Sequence, residues 1–129
     1  MRPLLLVLLG LVVGAMGATF ALSALRQGTP FHSGVMAVMQ YHLGALRANV
    51  RAKQCDAKGS VGHLSRVGET AGDIREAFPG MDPPFYEAAE RLRSAVDGAA
   101  TAAPATCEAL TRALATVGEA CQSCHRQYR

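Results

Sequence analysis

The sequence predicts an all-α protein: an antiparallel up-down-up-down four-helix bundle preceded by an N-terminal hydrophobic helix, a signal or an anchor. Three observations predict it. Half of the residues are apolar, yet only seven are Phe or Tyr and none is Trp; alanine and leucine dominate and β-branched runs are scarce, which favours helices over strands. Beyond residue 30, four stretches repeat apolar residues at spacings of three and four, the period of one helix face. Short stretches of Gly, Pro and Asp separate them, and helices joined by short loops pack as antiparallel neighbours. A chain of 129 residues has room for one domain plus a terminal segment, here divided as 1–28 and 29–129.

Residues Pro3 to Leu25 carry no charge and lie between Arg2 and Arg26. A secretory signal has an apolar core of about 7–15 residues, whereas a spanning helix needs roughly 20. The length suits a transmembrane anchor, while Ala15-Met16-Gly17 and Ala21-Leu22-Ser23 are tolerable cleavage sites, so both readings stand. Gly10, Gly14 and Ala18 form a small-xxx-small pattern suited to close helix packing in a bilayer, although glycine is also common in such segments. Either reading directs export and places the remainder across the membrane from the cytoplasm. One arginine on each side gives the positive-inside rule little to use. The formal net charge is +3. From Pro30 onward eleven Lys/Arg face ten Asp/Glu, interspersed along the chain. That balance leaves no nucleic-acid footprint and describes solvated helix faces.

Gly28-Thr29-Pro30 breaks the apolar run, with Thr29 as N-cap and Pro30 at the first helical position, where its missing N–H costs nothing. His32, Met36, Met39, Leu43, Leu46 and Val50 form the seam of the first bundle helix, about Pro30 to Lys53. A loop is expected over Asp56-Ala57-Lys58-Gly59-Ser60. Val61, Leu64, Val67, Ala71, Ile74 and Phe78 then make the second seam, which Pro79-Gly80 stops. Asp82-Pro83-Pro84 caps and starts the third helix, with Phe85, Ala88, Leu92, Ala95 and Ala99 facing inward; Gly98 to Ala105 is expected as a linker. Cys107, Leu110, Leu114, Val117, Cys121 and Cys124 form the fourth seam, and Tyr128 follows one turn later.

The fourth helix carries the chemistry. Cys121-Gln122-Ser123-Cys124-His125 is a C-x-x-C-H motif, the attachment signal of a c-type haem. Two thiols three positions apart share one side of a helical turn, where each can bond a haem vinyl group, and the next histidine reaches the iron as proximal ligand. Zinc would need a second closely spaced Cys/His pair, and Cys55 and Cys107 are far apart. A thioredoxin-like dithiol would need a βαβ setting. A chance motif in an ordinary helix is the bland alternative. In an up-down-up-down bundle the first helix starts where the fourth ends, so Met36 can approach a haem held by Cys121 and Cys124. The same topology places Cys55 near Cys107, and two spare cysteines in an oxidising compartment favour a disulfide; the alternative is two separate thiols.

The chain resembles the cytochrome c-prime family, the class II c-type cytochromes. The family's C-x-x-C-H-x-x-[Tyr/Phe]-[Arg/Lys] ending is matched by Cys121, Cys124, His125, Tyr128 and Arg129, preceded by Val117-Gly118. Val35 to Gly44 resembles the family's first helix, and Ala77-Phe78-Pro79 the end of its second, so the likeness covers about residues 30–129. It implies one covalently attached haem c, with Cys121, Cys124, His125, Tyr128 and Arg129 against it, and His125 and Met36 on the iron. His32 stands where many relatives carry an arginine near a haem propionate, a departure that puts that contact in doubt.

Two behaviours exist among these relatives. In five-coordinate members an apolar side chain blocks the distal face, and NO or CO can bind. In low-spin members a first-helix methionine fills the sixth position, and the protein carries single electrons. Met36 fits the second, as a soft neutral ligand that raises the potential. Core methionine is the competing reading for Met36. Met39 and His32, each one turn away, are the weaker candidates, His32 for a bis-histidine site; His42 and His63 read as surface or loop-end residues. The expectation is therefore a non-enzymatic, periplasmic electron carrier, anchored at the inner membrane or soluble after cleavage. Its partners would be membrane or periplasmic redox proteins, and dimerisation through the first two helices is common among relatives.

Overall fold

The computed structural model describes residues 2–26 and 30–128. Six helices and no strand occur among them, and the chain divides into two compact units, Met1–Pro30 and Phe31–Arg129. The expected division at 28/29, and with it Thr29 as a cap, lies outside the described residues.

The first unit is helix α1 (Arg2–Arg26). It is apolar on every side, and Leu6–Ser23 is long and apolar enough to cross a membrane. The Thr19 hydroxyl donates to the Met16 carbonyl at 2.8 Å, so this donor is satisfied within the helix.

The second unit comprises α2 (Phe31–Ala52), α3 (Ala57–Gly72), the single turn α4 (Ile74–Ala77), α5 (Pro83–Thr101) and α6 (Cys107–Tyr128). The four long helices form a closed square: α2 packs on α3 and α6, and α5 packs on α3 and α6. Leu46, Leu64, Val67, Val96, Leu110 and Val117 are fully buried, so every long helix contributes to one core. Tyr128, at the end of α6, meets Phe85, at the start of α5, with ring centroids 5.1 Å apart. Cys55, after α2, is bonded to Cys107, which begins α6. These two contacts fix α6 antiparallel to both neighbours.

The boundaries follow from local chemistry. Asp56 is not in a loop: it caps α3, its side chain accepting from the Gly59 N–H at 2.7 Å, so residues 57–60 are helical. An aspartate oxygen satisfies a donor that the first turn cannot pair internally, and this outweighs the turn propensity of Lys-Gly-Ser. The second seam does not run through one helix either; α3 ends at Gly72 and α4 resumes the same face, with Ile74 and Ala77 buried. Gly80, at φ +82°, makes the turn that follows, a conformation that favours glycine. Asp82 caps α5 by accepting from the Phe85 N–H at 3.2 Å, and Thr106 caps α6 by accepting from Ala109 N–H at 3.2 Å. Helix α5 extends to Thr101, well into the expected linker, and buries Val96 where Ala95 was expected. In α2 the inward position is Val35, 3% exposed, while Met36 is half-buried and His32 exposed. Pro30 precedes α2 rather than beginning it.

Two helices end without glycine at the left-handed position. Lys53 has φ 56° and Ala103 φ 44°. After α2 the Gln54 N–H bonds the Asn49 carbonyl at 3.0 Å and the Lys53 N–H bonds the Val50 carbonyl at 3.1 Å, the paired bonds of a Schellman ending. A β-carbon in that conformation costs about 1–2 kcal/mol, partly offset by the greater unfolded-state freedom of glycine. Lys53→Gly is therefore expected to raise the unfolding free energy by about 0.5–1 kcal/mol, read from urea denaturation; a lowered midpoint would contradict it.

Helix α3 approaches α5 closely at Gly68, where a β-carbon would lie 3.0 Å from an Asp97 carboxylate oxygen and 3.5 Å from Val96. Each of the ion pairs among the described residues joins side chains three or four positions apart on one helix, all of them exposed. Such pairs contribute little to stability and mark the solvated faces.

Candidate functional site

Helix α6 gathers the motif onto one arc. At about 100° per residue, Cys121 lies between Cys124 and His125 around the axis, and Tyr128 falls on the same arc. Cys121, Cys124 and Tyr128 are half-buried and pack against the core, while His125 is exposed. Both thiols are free. Burial pushes the Cys121 thiol up, with Arg47 opposing and Cys124 adding to the rise. Burial also raises Cys124, opposed by Arg91. Both shifts follow from thiols turned partly into an apolar interior.

Helix α2 supplies the facing surface. Met36 and Arg47 are eleven residues apart, which puts them within about 20° of each other around the helix. Helix α2 packs directly on α6. Met36 is half-buried against the same core as Cys121 and Cys124. Met39 is only 6% exposed and belongs to that core. His32, one turn before Met36, is exposed and stacks on Phe78 at 5.4 Å.

A chain of rings closes this end of the bundle. Phe78 meets Phe85 at 5.3 Å, and Phe85 meets Tyr128 edge-on. His32, Phe78, Phe85 and Tyr128 thus link the start of α2, the end of α4, the start of α5 and the end of α6. The Tyr128 hydroxyl donates to Asp82 Oδ1 at 3.0 Å, the same oxygen that caps α5. Partial burial and then this bond push the Tyr128 phenol up. Arg129 lies outside the described residues. Tyr86 reinforces the turn nearby: its hydroxyl donates to the Phe78 carbonyl at 3.0 Å and accepts from the Met81 N–H at 3.2 Å, with the Arg75 guanidinium 4.4 Å above its ring.

One aspartate oxygen therefore holds two helix termini. Asp82→Ala is expected to lower the unfolding free energy by about 1–2 kcal/mol, and Tyr128→Phe by no more than about 1 kcal/mol, since it removes only one of the two bonds. Chemical denaturation of both variants checks the order; equal losses would mean that the cap contributes nothing.

At the opposite end Cys55 and Cys107 are bonded, with Cα atoms 5.2 Å apart. Sequence reasoning missed that Tyr128 meets Asp82, because that contact forms only across the bundle. It also missed that His42 and His63 meet each other, Nδ1 to Nδ1 at 2.9 Å. Burial, then His63 and Arg66, pushes His42 below the ordinary histidine range. Among the described residues no three or more His, Cys, Asp and Glu side chains form a metal-holding group.

No family model matches the chain, and no curated protein matches it. Among solved structures it is similar to the crystal structure of cytochrome c' from Rubrivivax gelatinosus, with a TM-score of 0.59 and 20% sequence identity. The likeness covers 74% of this chain and 88% of that one. At that identity the likeness is one of fold, the four-helix bundle.

Proposed function

We propose that this chain is a c-type haem protein that carries single electrons, with one haem c bound covalently through Cys121 and Cys124. His125 serves as the proximal iron ligand and Met36 as the distal one. The observation that carries the reading is that α2 packs on α6 and that Met36 is half-buried against the same core as Cys121 and Cys124. The residues fit the group: the two free cysteines are neutral, half-buried and one turn apart, and the other two are occupied with each other. The bundle fold shared with the cytochrome c' from Rubrivivax gelatinosus supports the c-type haem part of the reading.

When bound, the haem supplies an iron centre that cycles between two oxidation states. The chain's own residues do the rest. Cys121 and Cys124 tie the group to α6, so it cannot dissociate. The exposed His125 needs no rearrangement of the core to present its ring. Met36 offers a soft, uncharged thioether that favours the reduced metal and raises the potential. Tyr128 and Asp82 hold the last turn of α6 in register with α5, which fixes the motif's position. Met39, buried in the core, fills space rather than serving as a ligand. This division of labour is that of a carrier and not of an enzyme.

Helix α1 either anchors the protein in the inner membrane or is removed on export, and the bundle works on the periplasmic side. A retained anchor would raise the effective concentration at redox partners in the same bilayer. The test is the exported full-length protein. The red chromophore is expected to stay with the polypeptide through extraction in acidified acetone, and to show low-spin bands unaltered by CO. Loss of colour into the solvent overturns the covalent attachment; high-spin bands that shift with CO overturn the Met36 ligand in favour of a gas-binding site.

A further inference from the structure

On α2, His42 lies about 120° around the helix axis from Met36 and about 140° from Arg47, paired with His63 of α3. The pair joins α2 to α3 half-way between solvent and core. Its Nδ1 atoms are 2.9 Å apart. In the metal-free protein one ring donates its Nδ1–H to the other. An imidazole nitrogen binds a divalent transition metal at about 2.0–2.1 Å. Imidazole suits Cu, Ni and Zn, and across the first-row divalent series affinity rises through Ni(II) to a peak at Cu(II).

We propose that His42 and His63 form a two-nitrogen binding site for a tetragonal divalent transition metal ion, Cu(II) or Ni(II), on the α2–α3 face. The donating ring moves its proton from Nδ1 to Nε2 and both rings pivot off the line of their hydrogen bond, so that both Nδ1 lone pairs turn to the ion and no proton is released. A concavity lined by His42, Asp56, Lys58, Gly59, Gly62 and His63 opens beside the pair. Solvent fills the remaining positions on the ion. Lys58, in the same concavity, and Arg66, near His42, repel any cation. Binding must therefore come from nitrogen lone pairs rather than from charge, which excludes the hard, oxygen-seeking Ca²⁺ and Mg²⁺. Both rings ride on packed helices, one of them edge-on to Tyr41 at 5.1 Å, so only the rings themselves need to turn on binding.

The experiment titrates the haem-loaded full-length protein with copper(II) sulfate by equilibrium dialysis and records the copper electron paramagnetic resonance spectrum. One equivalent is expected to bind with micromolar affinity and a tetragonal signal split by two nitrogens. Excess Mg²⁺ or Ca²⁺ should leave it unchanged. His42→Ala and His63→Ala should each weaken that binding at least tenfold. A spectrum with no or one nitrogen, or affinity within threefold of the parent in both variants, overturns the proposal. The nitrogen count in the unsubstituted protein decides the matter even where a variant fails to fold.

Discussion

Met36→Ala is expected to convert the absorption spectrum from low-spin to high-spin, essentially completely at neutral pH, and to create a CO response absent from the parent. The argument rests on position. Met36 packs against the same core as Cys121 and Cys124, half-buried rather than sealed in it. Truncating it removes the one thioether placed there and leaves a methyl group that cannot ligate. The stability cost should be small, about 1–2 kcal/mol, because a half-buried side chain loses only part of the transfer and cavity terms. Met39→Ala makes the opposite pattern: a cost of about 2–4 kcal/mol for a fully buried side chain, with the spin state unchanged. The pair of variants thus separates ligand from filler. An unchanged spin state in Met36→Ala would falsify the ligand assignment, and a spin change in Met39→Ala would move it there.

The second large effect concerns the far end of the bundle. The Cys55–Cys107 bond spans 52 residues of sequence, and closing a loop of that length restricts the unfolded chain by about 4 kcal/mol in the chain-entropy model. Replacing both cysteines with alanine is expected to remove about that much and to lower the melting temperature by roughly 20 °C, since 1 kcal/mol corresponds to about 4–8 °C in a domain of this size. Cys55 and Cys107 are only partly buried, so the alanines leave little cavity and the effect acts mainly through the unfolded state. Thermal melts of the variant and of the reduced parent should coincide. A loss under 1 kcal/mol would mean that the unfolded chain is already held compact without the bond.

What could be read in advance follows from how far each feature depends on distant partners. The seams were visible because burial imposes the helical period: Leu43 and Leu46, Leu64 and Val67, Leu92, Leu110 and Val117 are inward both by pattern and by position. Asp82 was visible as a cap because two prolines follow it. Asp56 was not, because Lys-Gly-Ser behind it has the composition of a turn, and only the Gly59 N–H reveals the helix. Val35 and Val96 were displaced from the expected seams by Met36 and Ala95, each one residue away, because spacings of three and four fit two adjacent rows equally well. Lys53 and Ala103 carry no local signal of a left-handed ending. The C-x-x-C-H motif is local and could be found by inspection. The meeting of His42 with His63 depends on how two helices are rotated about their own axes, which a linear chain does not state.

The bond at the base of the bundle also has a topological result. Helices α3, α4 and α5 lie entirely inside the ring that Cys55 and Cys107 close, while α2 and α6, bearing Met36 and the C-x-x-C-H motif, are its two tails. A protease that cuts anywhere in that ring leaves a single molecule of nearly unaltered mass, separable only by a reductant. The two helices assigned to grip the iron therefore stay tied to one another even after the segment between them has been severed.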